Sequence, residues 1–296
     1  MKTVFFYSFK GGVGRTQSML NIAKYLAKKE KKKIAILDFD IYAPGISYLK
    51  KGLKKENTEY FLTHFLNILE NRESTIYKEN YCDNIDIIPA FDMSDIVPYH
   101  HVLTELSQYL YSIKQSSEIK NSSVTSIADD IFEIIKDDIS KLNDYDYLFI
   151  DGRTGITEVS DIMFSPNVDM KVIISSYNHQ NIQGTNDILS ILANQKITGH
   201  TILRVLSPKP LNNRDEIKGI KTKANLDDNE INLAIKSKFN WLETYEITYD
   251  DEIVINDYEA WSMLDSESEY IKNIKTIADV IDSHLTKEVS ILDRIQ

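Results

Sequence analysis

Phe5-Phe6-Tyr7-Ser8-Phe9-Lys10-Gly11-Gly12-Val13-Gly14-Arg15-Thr16 is the stretch that decides the fold. It reads as an apolar strand running into a glycine turn and then into an amphipathic helix, Gln17 to Lys29. A turn of this kind presents consecutive backbone N–H groups, and the helix behind it directs its positive end at the same point, so a polyphosphate is its natural occupant. Thr16, at the start of the helix, offers a hydroxyl to a Mg²⁺ ion bridging the phosphates.

Lys10, Gly11, Gly12, Gly14 and Thr16 stand at the spacing of K-G-G-x-G-K-[ST], and the stretch resembles the deviant Walker A motif of the ParA/MinD group of P-loop ATPases. Arg15 replaces the second lysine, which makes the sequence similar to the KGGVGR-motif variant branch of that group. The resemblance implies that Lys10, Gly11, Gly12, Val13, Gly14, Arg15, Thr16 and Gln17 bind nucleotide. It also implies that Lys10 is the signature lysine, which in the group reaches the nucleotide of a second subunit. ATP and Mg²⁺ are the expected cofactors.

Working outward, Lys33-Ile34-Ala35-Ile36-Leu37-Asp38-Phe39-Asp40 is an apolar run too short for a helix, ending in two acids and followed by Pro44-Gly45. A buried parallel strand with carboxylates at its carboxyl end is the economical reading, because ligands of open α/β sheets sit beyond that edge. Asp40 to Gly45 resembles the D-x-x-A-P-G of the variant branch. By that resemblance Asp40 is catalytic, orienting the attacking water, and Asp38 supports the metal shell. Tyr145 to Asp151 is a second such strand, and with Gly152-Arg153-Thr154-Gly155 it looks like Walker B with the R-T-G ending of the variant branch. Asp151 is then the third metal-site residue beside Thr16 and Asp38. Gly155 permits close approach to the terminal phosphate. For Arg153 two roles stay open, an anion contact to phosphate or partner subunit, and an ion pair with one of the chain's many acids.

The rest of the chain alternates. Ile46 to Asn80 reads as helical, Ile85-Asp86-Ile87-Ile88 as a strand, and Ser94 to Leu142 as a largely helical insertion broken by a polar, serine-rich loop at Gln115 to Thr125. Beyond Asp151 come strands at Lys171 to Ser176, Thr201 to Leu206 and Glu243 to Thr248, a helix from Ile182 to Ala193 and a last helix from Glu267 to Leu285. The expectation is an α/β protein with one doubly wound, mostly parallel sheet flanked by helices: a single P-loop ATPase domain over 1–285, with a helical insertion around 94–142 and a tail at 286–296. In the group, loops after the late strands read the base, which makes Ser207 and Pro208 nucleotide-binding candidates; the asparagine common there is absent.

Composition narrows the function classes. A formal charge of −11 argues against a chain whose whole surface binds nucleic acid. Lysines nevertheless cluster at Lys24 to Lys33 and Lys50 to Lys55, where a solvated helix end competes with a local patch for an anionic partner. Cys82 is the only cysteine, which excludes disulfides and thiolate metal clusters and is read as a buried small apolar residue. His100 and His101 are adjacent, project apart, and have no further ligands at metal spacing. No apolar run reaches membrane-spanning length, no signal-peptide layout precedes the first strand, and the tail mixes Glu288 and Asp293 with Lys287 and Arg294, so a cytoplasmic protein without membrane attachment is expected.

The resemblance therefore implies a MgATP-binding, slowly hydrolysing ATPase that works as a nucleotide-dependent dimerisation switch. By the same resemblance it regulates a multi-protein system such as prokaryotic antiphage defence and forms an ATP-dependent homodimer with a protein effector. Two alternatives stand beside it. One is a partition or positioning ATPase that binds DNA or a surface as its ATP dimer. The other is a nucleotide-gated scaffold that does not hydrolyse.

Overall fold

The computed structural model describes residues 1–49, 51–52, 54–92, 96–120, 124–155, 157, 159–194, 200–209, 214–248, 250 and 267–292. In chain order the elements are β1 (Lys2–Ser8), α1 (Arg15–Lys29), β2 (Ile34–Asp38), a 3-10 turn (Ile46–Leu49), α2 (Phe61–Leu69), β3 (Glu79–Cys82), β4 (Ile85–Ile88), α3 (Ile96–Lys120) and α4 (Val124–Ser140). They continue with β5 (Tyr147–Thr154), α5 (Ser160–Met163), β6 (Met170–Ser175), α6 (His179–Asn194), β7 (Thr201–Lys209), α7 (Arg214–Ala224), α8 (Glu230–Lys236), β8 (Asn240–Thr248) and α9 (Glu269–Leu292).

The strands form one eight-stranded sheet in the order β3-β4-β2-β5-β1-β6-β7-β8. β2 pairs in parallel with both β4 and β5, and β7 with both β6 and β8, while the edge strand β3 runs antiparallel to β4. Every residue of β2, β4 and β6 is buried, as expected of parallel strands covered on both faces, and this explains their continuous rather than alternating apolar runs.

Two compact units divide the chain. The first holds Met1, Thr3–Phe5 and Lys32–Val168; the second holds Lys2, Phe6–Lys31 and Asp169–Gln296. In the first, α2 stacks Phe61 on Phe65, and Phe39, just past β2, packs against both rings. In the second, α1 buries Met19, Leu20, Ile22, Ala23 and Leu26. α9 packs on α1 and buries Ile271, Ile274, Ala278, Ile281 and Leu285. Asn21 Nδ2 fixes their register with a 3.0 Å hydrogen bond to Tyr270 Oη.

Several local expectations change. The helical reading of 46–80 survives only as the short 3-10 turn and α2, and Glu79–Cys82 is an edge strand. Helix α3 continues through Lys120, so the serine-rich stretch is helical up to that point, with 121–123 outside the described residues. Helices α7 and α8 carry too few apolar residues at helical spacing to be read from the sequence. Helix α9 runs on to Leu292, into the expected tail, of which 293–296 lie outside the described residues. Cys82 is half-buried on the edge strand rather than fully buried.

Candidate nucleotide site

The second unit carries the glycine turn. Gly12 and Gly14 have φ of 76° and 74°, a left-handed backbone that L side chains rarely adopt, so glycine is required at both. Gly14 is the N-cap of α1 and supplies no side-chain cap; no acidic residue occupies the first turn, and the helix closes with Ser18 N–H donating to Gly14 O at 2.9 Å. A 15-residue helix therefore directs its positive end at the turn without a carboxylate of its own to neutralise it. Val13 is buried and anchors the loop, while Gly11 and Gly12 are exposed. The helix starts at Arg15, so Thr16 is its second residue and Gln17 its third.

Arg15 turns inward. It is 8% exposed and its Nη1 donates to Ser8 Oγ at 3.3 Å, at the end of β1. Lys10 Nζ donates to Gln180 Oε1 in the first turn of α6. A second contact fixes the same approach: a β-carbon built on Gly184 of α6 would lie 2.2 Å from the Phe9 ring, so the ring rests directly on the helix backbone. The residues leading into the turn are thus held to α6 at two points, a role for Gln180 and Gly184 that no local sequence signal announces.

Ser207 lies beside the turn, since a β-carbon on Gly14 would come within 3.8 Å of its Oγ. The sequence placed Ser207 and Pro208 in a loop after the strand. Both instead lie within β7, whose pairing with β8 continues to Lys209 opposite Thr248. Ser207 is therefore a neighbour of the phosphate loop.

The first unit carries the carboxylates. β2 and β5 pair in parallel with Asp38 level with Asp151, and Phe39 N–H donates to Asp151 O at 3.0 Å. Both carboxylates are fully buried, and Asp40 is nearly so. Asp38 Oδ2 accepts from Ser47 N–H and Ser47 Oγ–H, each at 2.8 Å, and Ser47 Oγ in turn accepts from Ala90 N–H at 2.9 Å. Asp38 Oδ1 has no hydrogen-bond partner. Burial, reinforced by the negative charge of Asp151, pushes the Asp38 carboxyl up to about 8; Ser47 opposes this, and Asp40 adds to it.

An orphaned buried carboxylate oxygen beside two further acids is the chemistry of a cation site. Among the described residues no group of three or more His, Cys, Asp or Glu side chains is arranged to hold a metal ion by itself. That combination fits Mg²⁺, which takes one or two protein carboxylates and completes its shell with phosphate oxygens and water.

Of the two alternatives for Arg153, the ion pair is not formed with a described acid, and the anion contact stays open. The Arg153 guanidinium carbon lies 3.8 Å from the ring centroid of Tyr42. Gly155 has φ of 75° with open space where a β-carbon would stand, so its backbone requires glycine while leaving room for a ligand. The lysine cluster at the end of α1 is partly neutralised: Lys29 Nζ lies 3.3 Å from Asp279 of α9 and 3.6 Å from Glu30. Of the second cluster, Lys50 lies outside the described residues and Lys54 pairs with Glu59 at 2.9 Å. No helix among the described residues is long and apolar enough to cross a membrane.

Comparison with known proteins shows the family and the fold. The AAA_31 family, an AAA domain, matches residues 1–205. The virulence plasmid ParA family protein pGP5-D of Chlamydia psittaci is 36% identical over 90 residues, covering 30% of this chain; the chain spans about a third of that relative's length, 33%. Among solved structures, apo McdA of Cyanothece superposes with a TM-score of 0.63 at 15% identity, covering 93% of this chain and 98% of the other. A plasmid partition protein of Borrelia burgdorferi bound to AMPPNP superposes at 0.61 and 18% identity, covering 96% and 98%. At these identities the structural likeness carries the fold alone.

Proposed function

This chain belongs to the ParA/MinD-type P-loop ATPases, and from that premise we propose that it is a MgATP-binding, slowly hydrolysing ATPase whose nucleotide state controls self-association. The observation that carries the reading is the phosphate turn: two left-handed glycines, an uncapped 15-residue helix and Lys10 held at the entrance. In this reading Gly11 to Gln17 cradle the phosphates, Thr16, Asp38 and Asp151 hold the Mg²⁺ ion, Asp40 orients the attacking water, and Lys10 reaches the nucleotide of a second copy. The ion, when bound, offsets the charge that builds on the phosphate oxygens. Residues 1–285 form one ATPase domain in the same reading.

Arg15 sets the rate. Lysine is a compact point charge that follows charge migrating to the bridging oxygen, whereas arginine is longer and planar, and here its Nη1 donates to Ser8 Oγ. Turnover of the unaided protein is expected to be slower than that of Arg15→Lys; the reverse order overturns this assignment. Size-exclusion chromatography with light scattering, with and without MgATP, tests the switch: a monomer that becomes a dimer supports it, and one state under both conditions refutes it.

The output of the switch has two readings. A regulatory subunit of a multi-protein system, such as antiphage defence, is one. Partition or positioning of a cargo on DNA or a surface is the other, and the plasmid-partition relatives favour it at least as strongly. ATP-dependent duplex-DNA binding that weakens steeply with salt supports positioning; loss of that binding when Lys28 and Lys31 are changed to Glu identifies the α1 cluster as the contact.

A further inference from the structure

Arg153 is a cation held over an aromatic ring. It lies two residues beyond Asp151 on β5, in the same unit as Asp38 and Asp40, where a bidentate ion pair is the ordinary fate of a guanidinium. It makes no hydrogen bond and no ion pair with any described residue, and it sits instead over the Tyr42 ring at 3.8 Å. A guanidinium lying over an aromatic face keeps its N–H donors at its edge, so this contact holds the group in place without using the donors that recognise a phosphate.

Tyr42 is itself held. The turn Asp40 to Ala43 closes with Ala43 N–H donating to Asp40 O at 3.0 Å. Tyr99 Oη, from α3, donates to Ile41 O at 2.6 Å, and Ser107, also on α3, places its Oγ 3.4 Å from Tyr42 Oη. Helix α3 therefore fixes the ring through its backbone and at its hydroxyl, and the ring in turn fixes Arg153.

Resting on the nucleotide reading above, we propose that Tyr42 is a positioning residue: buttressed by α3, it holds the Arg153 guanidinium ready for the terminal phosphate of a nucleoside triphosphate. A ring that only fills space would affect every ligand of the fold alike. A ring that acts through Arg153 affects the triphosphate and spares the diphosphate, because only the triphosphate carries the group that Arg153 awaits.

The test measures the affinity of fluorescently labelled ATP and ADP, with Mg²⁺, for the full chain and its variants. Tyr42→Leu is expected to weaken ATP by about 3- to 30-fold, the range a cation–π contact supports, and to leave ADP within about twofold. Tyr42→Phe keeps the ring and restores ATP binding. Arg153→Lys, which retains the charge and loses the fork, weakens ATP at least as much as Tyr42→Leu. In an Arg153→Ala background Tyr42→Leu adds nothing further. Equal weakening of ATP and ADP by Tyr42→Leu, or full additivity in the double variant, overturns the inference and leaves the nucleotide reading intact. A wild-type chain that binds neither nucleotide overturns the nucleotide reading and the inference with it.

Discussion

The two units bury charges of opposite sign, and they do so on different terms. In the first, Asp38 ends β2 and lies level with Asp151, which is within β5; both are fully buried, and Asp38 is supported by two hydrogen bonds from Ser47. In the second, Arg204 is fully buried in mid-strand on β7, between Ile173 of β6 and Thr244 of β8, and none of its three guanidinium nitrogens has a hydrogen-bond partner. Burial alone brings Arg204 down to about 9. The contrast separates two meanings of a buried charge. Asp38, hydrogen-bonded on one oxygen and open on the other, has the form a cation site needs; Arg204, with none of its nitrogens bonded, is a cost to the fold.

The largest expected effect breaks the acidic half. If Asp151 and Asp38 hold the metal as proposed, Asp151→Asn and Asp38→Asn should each lower ATP hydrolysis at least about 100-fold, measured by phosphate release, because each would remove a carboxylate from the metal shell. Asp38→Asn retains an oxygen to accept from Ser47 and should melt close to wild type. Asp38→Ala leaves both Ser47 donors buried without an acceptor and should lose about 1–3 kcal/mol in urea unfolding. Equal stability of the two Asp38 variants would mean that Ser47 contributes nothing to holding the carboxylate.

The cationic half predicts the opposite sign. Arg204→Leu keeps apolar bulk and removes an unpaired buried cation, so urea unfolding should show a gain of about 1–4 kcal/mol. Hydrolysis is expected to be unaffected, since Arg204 is outside the machinery. A destabilised Arg204→Leu would show that the guanidinium is compensated after all, and the contrast between the units would fail. Smaller than this is the effect of Gly184→Ala. Its new methyl group would meet the Phe9 ring at 2.2 Å, so the ring must move, at a cost of about 1–3 kcal/mol, and ATP affinity should fall as the entrance to the phosphate turn loosens.

The same contrast marks what the sequence makes legible. The places of the glycine turn, Thr16, Asp38 and Asp151 in the fold are readable because they follow from local order: a strand, then a turn or an acid, then a helix. Tyr42, Ser47 and Gly184 are silent, because each matters only through a residue distant along the chain, Arg153, Asp38 and Phe9 respectively. Arg204 is hidden differently, since one arginine within an apolar strand reads as an outward-facing residue until both sheet faces are covered. β3 escapes notice for a third reason: four residues, Glu-Asn-Tyr-Cys, have neither the alternation nor the apolar content of a strand, and pairing with β4 alone makes them one. Ser207 shows the limit from the other side, for its nearness to Gly14 is visible only once β7 extends beyond the apolar run that signals it.

His64 gives the finest test, because it is a buried titratable group in the acidic unit that stays neutral. It is 2% exposed on α2, with Nδ1 2.7 Å from Ser74 Oγ and Nε2 3.2 Å from Asp138 Oδ2 on α4. Burial lowers its pKa, and the Asp138 carboxylate opposes this without reversing it. Between the lowered folded value and the ordinary unfolded value near 6.5, the unfolded chain binds the proton more readily, so stability rises with pH across that window. The contribution is fully present above the unfolded value and is lost as pH falls through the folded one. Urea unfolding at pH 7.5 and pH 5.5 should therefore show a drop on acidification that is smaller in His64→Gln, which cannot take up the proton. If the drop is undiminished in His64→Gln, the acid sensitivity belongs to other groups. If it is reversed, so that His64 stabilises the fold more at pH 5.5, then Asp138 outweighs burial and the charged pair is the form the fold prefers.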